Sequence, residues 1–476
     1  MANSNSKMPI KAIPYQHQEN AFRFVMDKFE NGGGVALLIE MGCGKSLISV
    51  AVAGALFKAE KIRKLLIVCP LSICGVWEEE FSKFADFDYS VNILKGTSNR
   101  KSATLYSMNG NSLQVAVVNY ESVWRIESQI HSWNPDFIIC DESHKIKTHN
   151  IAASKALHRL GQNSRYRMIL TGTVITNKTI DIFSQYKFLD PTIYGKSFYT
   201  FRNRYFDMIG YGNHTPVLKK GVESELKEKL HGIAFRATKA ECLDLPETTD
   251  IVRYIELEQD AMNVYKCLVR DSFSELKDSE VTATNILTKL LRLSQLTGGF
   301  LGDDEGKKMH QVSTAKLRAL EDIVDDVTLS GKKLVIIARF ISEIEAIEDL
   351  LSKKKLKFSI ITGNVKNRSE QIEKFQNDSD VLVFVGQIAT AGLGITLTAS
   401  STMVFYSMDY SMSNFEQTKA RIHRAGQKEN CTYIYLIAKN TVDEKVLKAL
   451  KKKCDLASSL IDDYRQCLNP FKTERT

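Results

Sequence analysis

Five short apolar runs punctuate the first 172 residues: GVALLIE (34–40), KLLIVC (64–69), QVAVVN (114–119), DFIIC (136–140) and RMILTG (167–172). Each is rich in Val, Ile and Leu and lacks the polar alternation of a half-solvated strand, so each suits a strand buried on both faces. Longer amphipathic stretches such as KSLISVAVAGALFKAEK (45–61) lie between them. That rhythm dictates β-α-β crossovers and a parallel sheet covered on both sides by helices. It lapses from about 185 to 330, where VESELKEKLHG (222–232), DAMNVYKCLVRDSFSELK (260–277) and TNILTKLLRLSQL (284–296) read as helices. It resumes with KKLVIIARF (332–340), KFSIIT (357–362), DVLVFVG (380–386), TMVFYS (402–407) and CTYIYLIA (431–438). A chain of 476 residues is also too long for one ordinary core. The reading is α/β: two tandem lobes, each a parallel sheet flanked by helices, with helical insertions between them. The expected divisions are 1–235 for the first lobe with an insertion after about 185, 236–330 for an inter-lobe passage and insertion, and 331–476 for the second lobe with C-terminal helices.

Composition narrows the setting. No apolar run reaches the roughly 20 residues that span a bilayer, and the N-terminal MANSNSKMPIKAIPYQ lacks the apolar core of a secretory signal. Nine cysteines without a C-x-x-C pair argue against structural zinc or a disulfide framework and for a reducing cytosol. The net charge of +8 is compatible with a polyanionic partner without requiring one. The runs SKKKLK (352–357) and KALKKK (448–453) read as solvated helix faces.

Chemistry enters at the end of the first apolar run, where EMGCGKSLISVAVAG begins at Glu40. A glycine-bearing turn that leads through Lys-Ser into a helix presents backbone N–H groups and a helix N-terminus to phosphates. The loop residues Met41, Gly42, Cys43, Gly44 and Leu47 then surround the phosphates, Lys45 reaches the β- and γ-phosphates, and the Ser46 hydroxyl ligates Mg²⁺. The strict pattern has a first glycine where this chain has Ile39. DESH (141–144) follows the run DFIIC: Asp141 at a strand end suits Mg²⁺ held through water, and Glu142 suits orientation and deprotonation of the attacking water. The competing use of these acids is to cap a helix. QTKARIHRAGQ (417–427) is open in the same way, as a basic helix face or as two arginines, Arg421 and Arg424, aimed at a phosphate.

Glu40–Ser46, DESH (141–144) and LTGTVITN (170–177) resemble the first three motifs of superfamily-two helicases, and more narrowly of the Swi/Snf-type double-stranded DNA translocases. PYQ (14–16), IVCPLSICGVWEEEF (67–81), VVNYESV (117–123), FRATKAECLDLPE (235–247), STAKLRALEDIV (313–324), ITGNVKNRSEQIEKFQ (361–376), ATAGLGITLTAS (389–400) and QTKARIHRAGQ come in that family's order. The resemblance covers roughly residues 10–445. It implies two RecA-like lobes that bind ATP and Mg²⁺, with Tyr15 and Gln16 reading the adenine and Gly394 completing the nucleotide contacts. Arg421 and Arg424 become catalytic, neutralising charge on the γ-phosphate when the lobes close. Ser72, Trp77, Asn119, Tyr120, Thr171, Thr362 and Thr390 fall along the DNA backbone, and His144, Gln417 and Gln427 relay nucleotide state. Trp77 has a rival use as the anchor of a helix on its sheet, His423 packs or caps, and Arg236 and Lys239 are either DNA contacts or solvated. The chain departs from the family pattern at Ser143 (Ala is usual), Val174 and Thr176 (Pro and Gln) and Thr396 (Asn). The function implied is an ATP-dependent translocase on double-stranded DNA that remodels forks or protein–DNA complexes. It is expected to be monomeric, with a separate targeting protein and no membrane partner, in a bacterial, phage or archaeal cytosol. The rivals are a strand-separating DNA or RNA helicase and a nucleotide-gated DNA-binding accessory subunit.

Overall fold

A computed structural model describes residues 7–172, 179–209, 215–242, 245–278, 283–302, 308–365, 367–388, 395–409, 411–448 and 450–451. The chain forms two compact units, one from the residues before 245 and one from Leu245 onward.

The apolar runs of the first unit become β1 (Gly33–Ile39), β2 (Lys64–Cys69), β3 (Tyr89–Ile93), β4 (Leu113–Asn119), β5 (Phe137–Asp141) and β6 (Tyr166–Thr171). An antiparallel hairpin, β7 (Phe206–Ile209) and β8 (Thr215–Leu218), stands apart from them, and β9 (Ala234–Ala237) closes the sheet in the order β3-β4-β2-β5-β6-β1-β9. All neighbours in this sheet are parallel. Successive residues feed two separate cores, as a pleated strand requires. Val35, Leu37, Ile39, Phe137 and Ile139 enter one, while Ala36, Leu38, Ile138 and Cys140 enter the other. The first core is roofed by α1 (Gln16–Lys28), α2 (Lys45–Lys58) and α3 (Cys74–Phe84). Because α2 packs against the sheet and both neighbouring helices, its sequence can be apolar nearly all round. At its centre Gly54 is pressed by Phe87 and Pro9, leaving no space for a Cβ.

The second unit repeats the plan with β10 (Thr248–Ile255), a small hairpin of β11 (Phe300–Gly302) and β12 (Met309–Gln311), and then β13 (Leu334–Ala338), β14 (Lys357–Ile361), β15 (Val381–Gln387), β16 (Thr402–Phe405) and β17 (Cys431–Ala438). Its six-stranded parallel sheet runs β10-β17-β16-β13-β15-β14.

The expected helices at 222–232, 260–277 and 284–296 are present as Glu223–His231, Gln259–Asp278 and Ala283–Thr297. Residues 185–330 are nevertheless not helical throughout, for they hold six strands, and the compact division falls at 244/245. The segment 236–330 is therefore no separate passage. β9 belongs to the first sheet, whereas β10 to β17 belong to the second unit. β3, β9 and β10 lie at sheet edges, where partly solvated sequences such as TTDIVRYI carry no continuous apolar run. Of the expected C-terminal helices, residues 452–476 lie outside the described residues.

Candidate active site

Five residues join the end of β1 at Ile39 to the start of α2 at Lys45. They turn sharply enough to need Gly42 and Gly44 at φ +87° and +86°, a region open to glycine. Gly44 is the N-cap of α2 and supplies no side-chain cap, so the first-turn amides remain for an anion. Lys45 Nζ donates to Ile39 O at 2.8 Å. Met41, Gly42 and Ser46 are half-buried, whereas the side chains of Cys43 and Leu47 enter the core, leaving only their backbone to the loop. His17 Nε2 (2.8 Å) and Gln18 Nε2 (3.3 Å) both donate to Cys43 O from beneath, and Gln18 Oε1 accepts from Tyr15 N at 2.9 Å.

Gln16, expected to read the adenine, and its neighbour Gln18 are placed differently. Gln16 is exposed and donates to Asn20 Oδ1 at 3.1 Å, while Gln18 is buried against the loop. Gln16 and Gln18 are two residues, a little over half a turn, apart on α1 and therefore face different ways. A Cβ at Gly44 would meet the end of the Gln18 side chain, and its φ of +86° strains any residue but glycine there. Tyr15 is exposed, its ring stacked on His17 with centroids 5.9 Å apart.

Asp141 is the last residue of β5, and three groups fix it. Its Oδ1 accepts from Glu142 N (2.9 Å), its Oδ2 from Trp77 Nε1 (3.2 Å), and its carbonyl from Tyr120 OH (2.8 Å). Burial, then the charge of Glu142, pushes the Asp141 carboxyl up to about 7, against the opposing pull of Lys45, the Glu142 amide and the Trp77 indole. Glu142 adopts φ +53°, ψ +53°, a left-handed conformation that costs a side-chain-bearing residue about 1–2 kcal/mol. Its Oε2 lies 3.3 Å from His144 Nδ1. The N-cap position of the short 3₁₀ turn Ser143–Ile146 is Glu142, which gives no side-chain cap, while Asp141 Oδ1 accepts from the adjacent Glu142 N and Ser143 Oγ donates to Gln185. Ser143 turns its extra hydroxyl to Gln185 Oε1 at 2.7 Å, both residues fully buried, which satisfies the departure from alanine.

Ser46 and Asp141 offer a hydroxyl and a carboxylate. Such hard oxygen donors, few in number, fit Mg²⁺, which keeps several waters and shares substrate phosphates. Among the described residues no cluster of three or more His, Cys, Asp or Glu forms a protein cage for a metal.

The residues expected along DNA are less available than their motifs imply. Trp77 is 2% exposed, Tyr120 3% and Thr171 0%. Their side chains are packed inside the first unit, and those of Trp77 and Tyr120 each end on Asp141. Asn119 and Thr362 are also buried, with Asn119 Nδ2 donating to Glu121 Oε2 at 2.7 Å. What the first of these segments does expose is Leu71, 71% accessible. The side chain of Ser72, all of Thr390 and Gly394, and residues 173–178, with Val174 and Thr176, lie outside the described residues. Arg236 and Lys239 are half-buried, and Lys239 N donates to Glu40 Oε2 at 2.9 Å.

In the second unit the helix Met412–Lys419 stops before the arginines, so QTKARIHRAGQ is not one basic helix. Thr418 O and Lys419 O accept from Arg421 N and His423 N, and Arg421 O is taken by Leu397 N (2.9 Å) rather than by a further helical turn. Arg421 Nη1 (3.4 Å) and Arg424 Nη1 (3.3 Å) donate to the same carbonyl, Ile395 O, which holds the two guanidinium groups side by side. Arg421 is 6% exposed and Arg424 half-buried. Gln427 Nε2 donates to Thr398, Ser400 and Ile422 carbonyls while its Oε1 accepts from Lys428 N and Glu429 N, so it organises the turn. Gln417 is buried on the helix, and His423 Nε2 donates to Pro246 O at 2.9 Å.

Residues 17–298 match the SNF2-related domain, and residues 315–426 match the helicase conserved C-terminal domain. The DNA repair and recombination protein RDH54 of Saccharomyces cerevisiae is 25% identical over 92% of this chain and 52% of its own length. A RAD54-like DNA repair and recombination protein of Drosophila willistoni is 27% identical over 96% of this chain and 64% of its own. An uncharacterized ATP-dependent helicase of Mycoplasma genitalium, MG018, is 25% identical over 96% and 43%. The chain thus spans about half the length of the curated relatives it matches. Among solved structures, the Sulfolobus solfataricus SWI2/SNF2 ATPase core in complex with dsDNA is 26% identical, covers 97% of this chain and 95% of its own, and superposes with a TM-score of 0.47. The family model spans more than half of the sequence, through the phosphate loop and the acid pair, and the chain belongs to the SNF2-related domain family.

Proposed function

We propose that this protein hydrolyses ATP to ADP and phosphate under the control of double-stranded DNA and tracks along that DNA. The observation that carries the reading is the assembly in the first unit. A glycine turn opens onto a helix N-terminus, Lys45 stands at its mouth, and Asp141 and Glu142 lie close enough to Lys45 for its charge to act on Asp141. Family membership supports nucleotide use, and relatives named as DNA repair and recombination proteins support DNA as the effector.

In this reading Lys45 exchanges its bond to Ile39 O for the β- and γ-phosphates, and Gln18 faces the adenine. Mg²⁺, held by Ser46 and through water by Asp141, would supply charge compensation between phosphate oxygens. Glu142 receives the proton of the attacking water, with His144 Nδ1 3.3 Å from its carboxylate. Arg421 and Arg424 are the cations assigned to the charge that develops on the γ-phosphate, and His144, Gln417 and Gln427 to relaying nucleotide state. Backbone groups around 71–73 and 119–121, with Thr362 and Thr390, are assigned to sequence-independent phosphate contacts. The motor is assigned as a monomer with a separate targeting protein. A bacterial, phage or archaeal cytosol is consistent with the mycoplasma relative.

ATP turnover measured with duplex DNA, single-stranded DNA and RNA, beside triplex-displacement and strand-separation assays, tests this. Duplex stimulation with triplex displacement and no unwinding is expected. Stimulation by RNA alone overturns the proposal, and efficient strand separation replaces translocation with the helicase reading.

A further inference from the structure

Trp77 and Tyr120 stand in the two segments expected to meet DNA, yet both side chains are buried and both end on Asp141. Trp77 lies on α3, directly after the turn Leu71–Ile73 that leaves the C-terminal end of β2. Tyr120 opens the short helix Tyr120–Val123 that leaves the C-terminal end of β4. In the sheet β2 is the neighbour of β5 and β4 the next strand out, so all three strand ends lie along one edge of the sheet with Asp141 among them.

The two bonds divide the work. The Trp77 indole N–H reaches the carboxylate oxygen Oδ2 at 3.2 Å, across 64 residues of sequence. The Tyr120 hydroxyl reaches the main-chain carbonyl of the same residue at 2.8 Å, across 21 residues. The remaining carboxylate oxygen is held locally by Glu142 N at 2.9 Å. Packing alone would bury both rings whichever way their polar atoms pointed. Here a buried donor from each segment ends on the acid assigned to the metal, one on its side chain and one on its backbone.

We infer that Trp77 and Tyr120 are positioning residues that make the setting of Asp141 depend on DNA occupying residues 71–73 and 119–121. The inference rests on the proposed function and adds its coupling route, inside the first unit and independent of the arginine turn. A backbone phosphate seated on either segment shifts the helix that carries the donor. The carboxylate and carbonyl of Asp141 then move with it, because each has a fixed partner on that helix. By linkage, DNA changes the affinity of the Mg²⁺-nucleotide site, and Mg²⁺ changes the affinity for DNA by the same factor.

Two variants delete only the donors: Trp77→Phe keeps an aromatic ring, and Tyr120→Phe loses one oxygen. The readout is binding of a fluorescent ADP analogue during MgCl₂ titration, with and without a saturating blunt duplex. In the wild-type protein duplex lowers the half-saturating Mg²⁺ concentration by about fivefold or more. In each variant that shift collapses, although thermal melting shows a folded first unit and duplex still binds. Should Trp77→Phe melt early, Tyr120→Phe carries the same test alone. A full shift retained in both variants overturns the inference, as does a wild-type protein with duplex-stimulated turnover but no Mg²⁺ shift. A wild-type protein whose turnover ignores duplex overturns the proposed function itself.

Discussion

Glu142 is held where a residue with a Cβ rarely sits, at φ +53°, one residue beyond a buried carboxylate and 3.3 Å from an imidazole. Backbone strain of that kind persists only where surrounding bonds over-determine it, and it clusters at reactive positions. Replacing its carboxylate by an amide keeps the shape and removes the proton acceptor. Glu142→Gln is therefore expected to bind ATP with near-normal affinity while turnover falls about 10²–10⁴-fold, read by equilibrium binding beside steady-state hydrolysis. Lys45, Asp141 and Glu142 were legible because their chemistry is local, set by a short spacing at a strand end. The seat of Gln18 against the loop was not, since two glutamines two residues apart offer the same chemistry and only the rotation of α1 tells which one packs there. The bonds of Trp77 and Tyr120 to Asp141 were not legible either, because a motif reports position in the chain and not the direction of an N–H or O–H.

Two helices each bring a buried histidine into the pH response of the first unit. His158, on the helix Ala152–Asn163, donates to Ser184 O at 2.9 Å, and burial lowers its pKa from 6.5 to about 4. His231, last residue of the helix Glu223–His231, is lowered to about 4, first by burial and then by Arg236 and Lys227. Both rings enter the fold neutral. Below pH 6.5 the unfolded chain takes up protons that the folded chain refuses until about pH 4. Their contribution to stability is thus full above 6.5, declines through that window and levels off beneath it, while Asp141, raised to about 7, opposes part of the decline because its buried carboxyl is favoured protonated. Each ring contributes on the order of 2–3 kcal/mol of loss. Denaturant midpoints taken between pH 7.5 and 4.5 should show the decline, and His158→Gln should remove a large part of it. At this scale the central strands were legible as continuous apolar runs, whereas edge strands such as β3, β9 and β10 were hidden by their own polar residues.

At the scale of the molecule, the proposed function assigns Lys45, Asp141 and Glu142 to the first unit and Arg421 and Arg424 to the second. Arg424→Ala is expected to lower kcat by about 10³-fold or more and to change nucleotide affinity far less, separated by turnover and binding measurements. An unchanged kcat removes Arg424 from the chemistry. The doubled α/β plan was readable from the recurrence of apolar runs, but the point of division was not. It depends on which sheet recruits β9 and which recruits β10, and pairing partners leave no mark on either strand's own sequence. That recruitment sets a timetable on the ribosome. The first sheet has all its strands once β9 has emerged, whereas Thr248 of β10 pairs with Cys431 of β17 and must wait for it. At about 5–20 residues per second the wait lasts roughly 10–40 s, a long interval for a strand with an open edge. Asp250 and Arg253, the charges that disguise β10 as something other than a strand, also discourage it from pairing with another nascent chain. Arg253 ends in a surface pair with Asp322 at 2.7 Å, so Arg253→Val should cost little folded stability. It should raise light scattering during refolding while leaving the denaturation midpoint nearly in place.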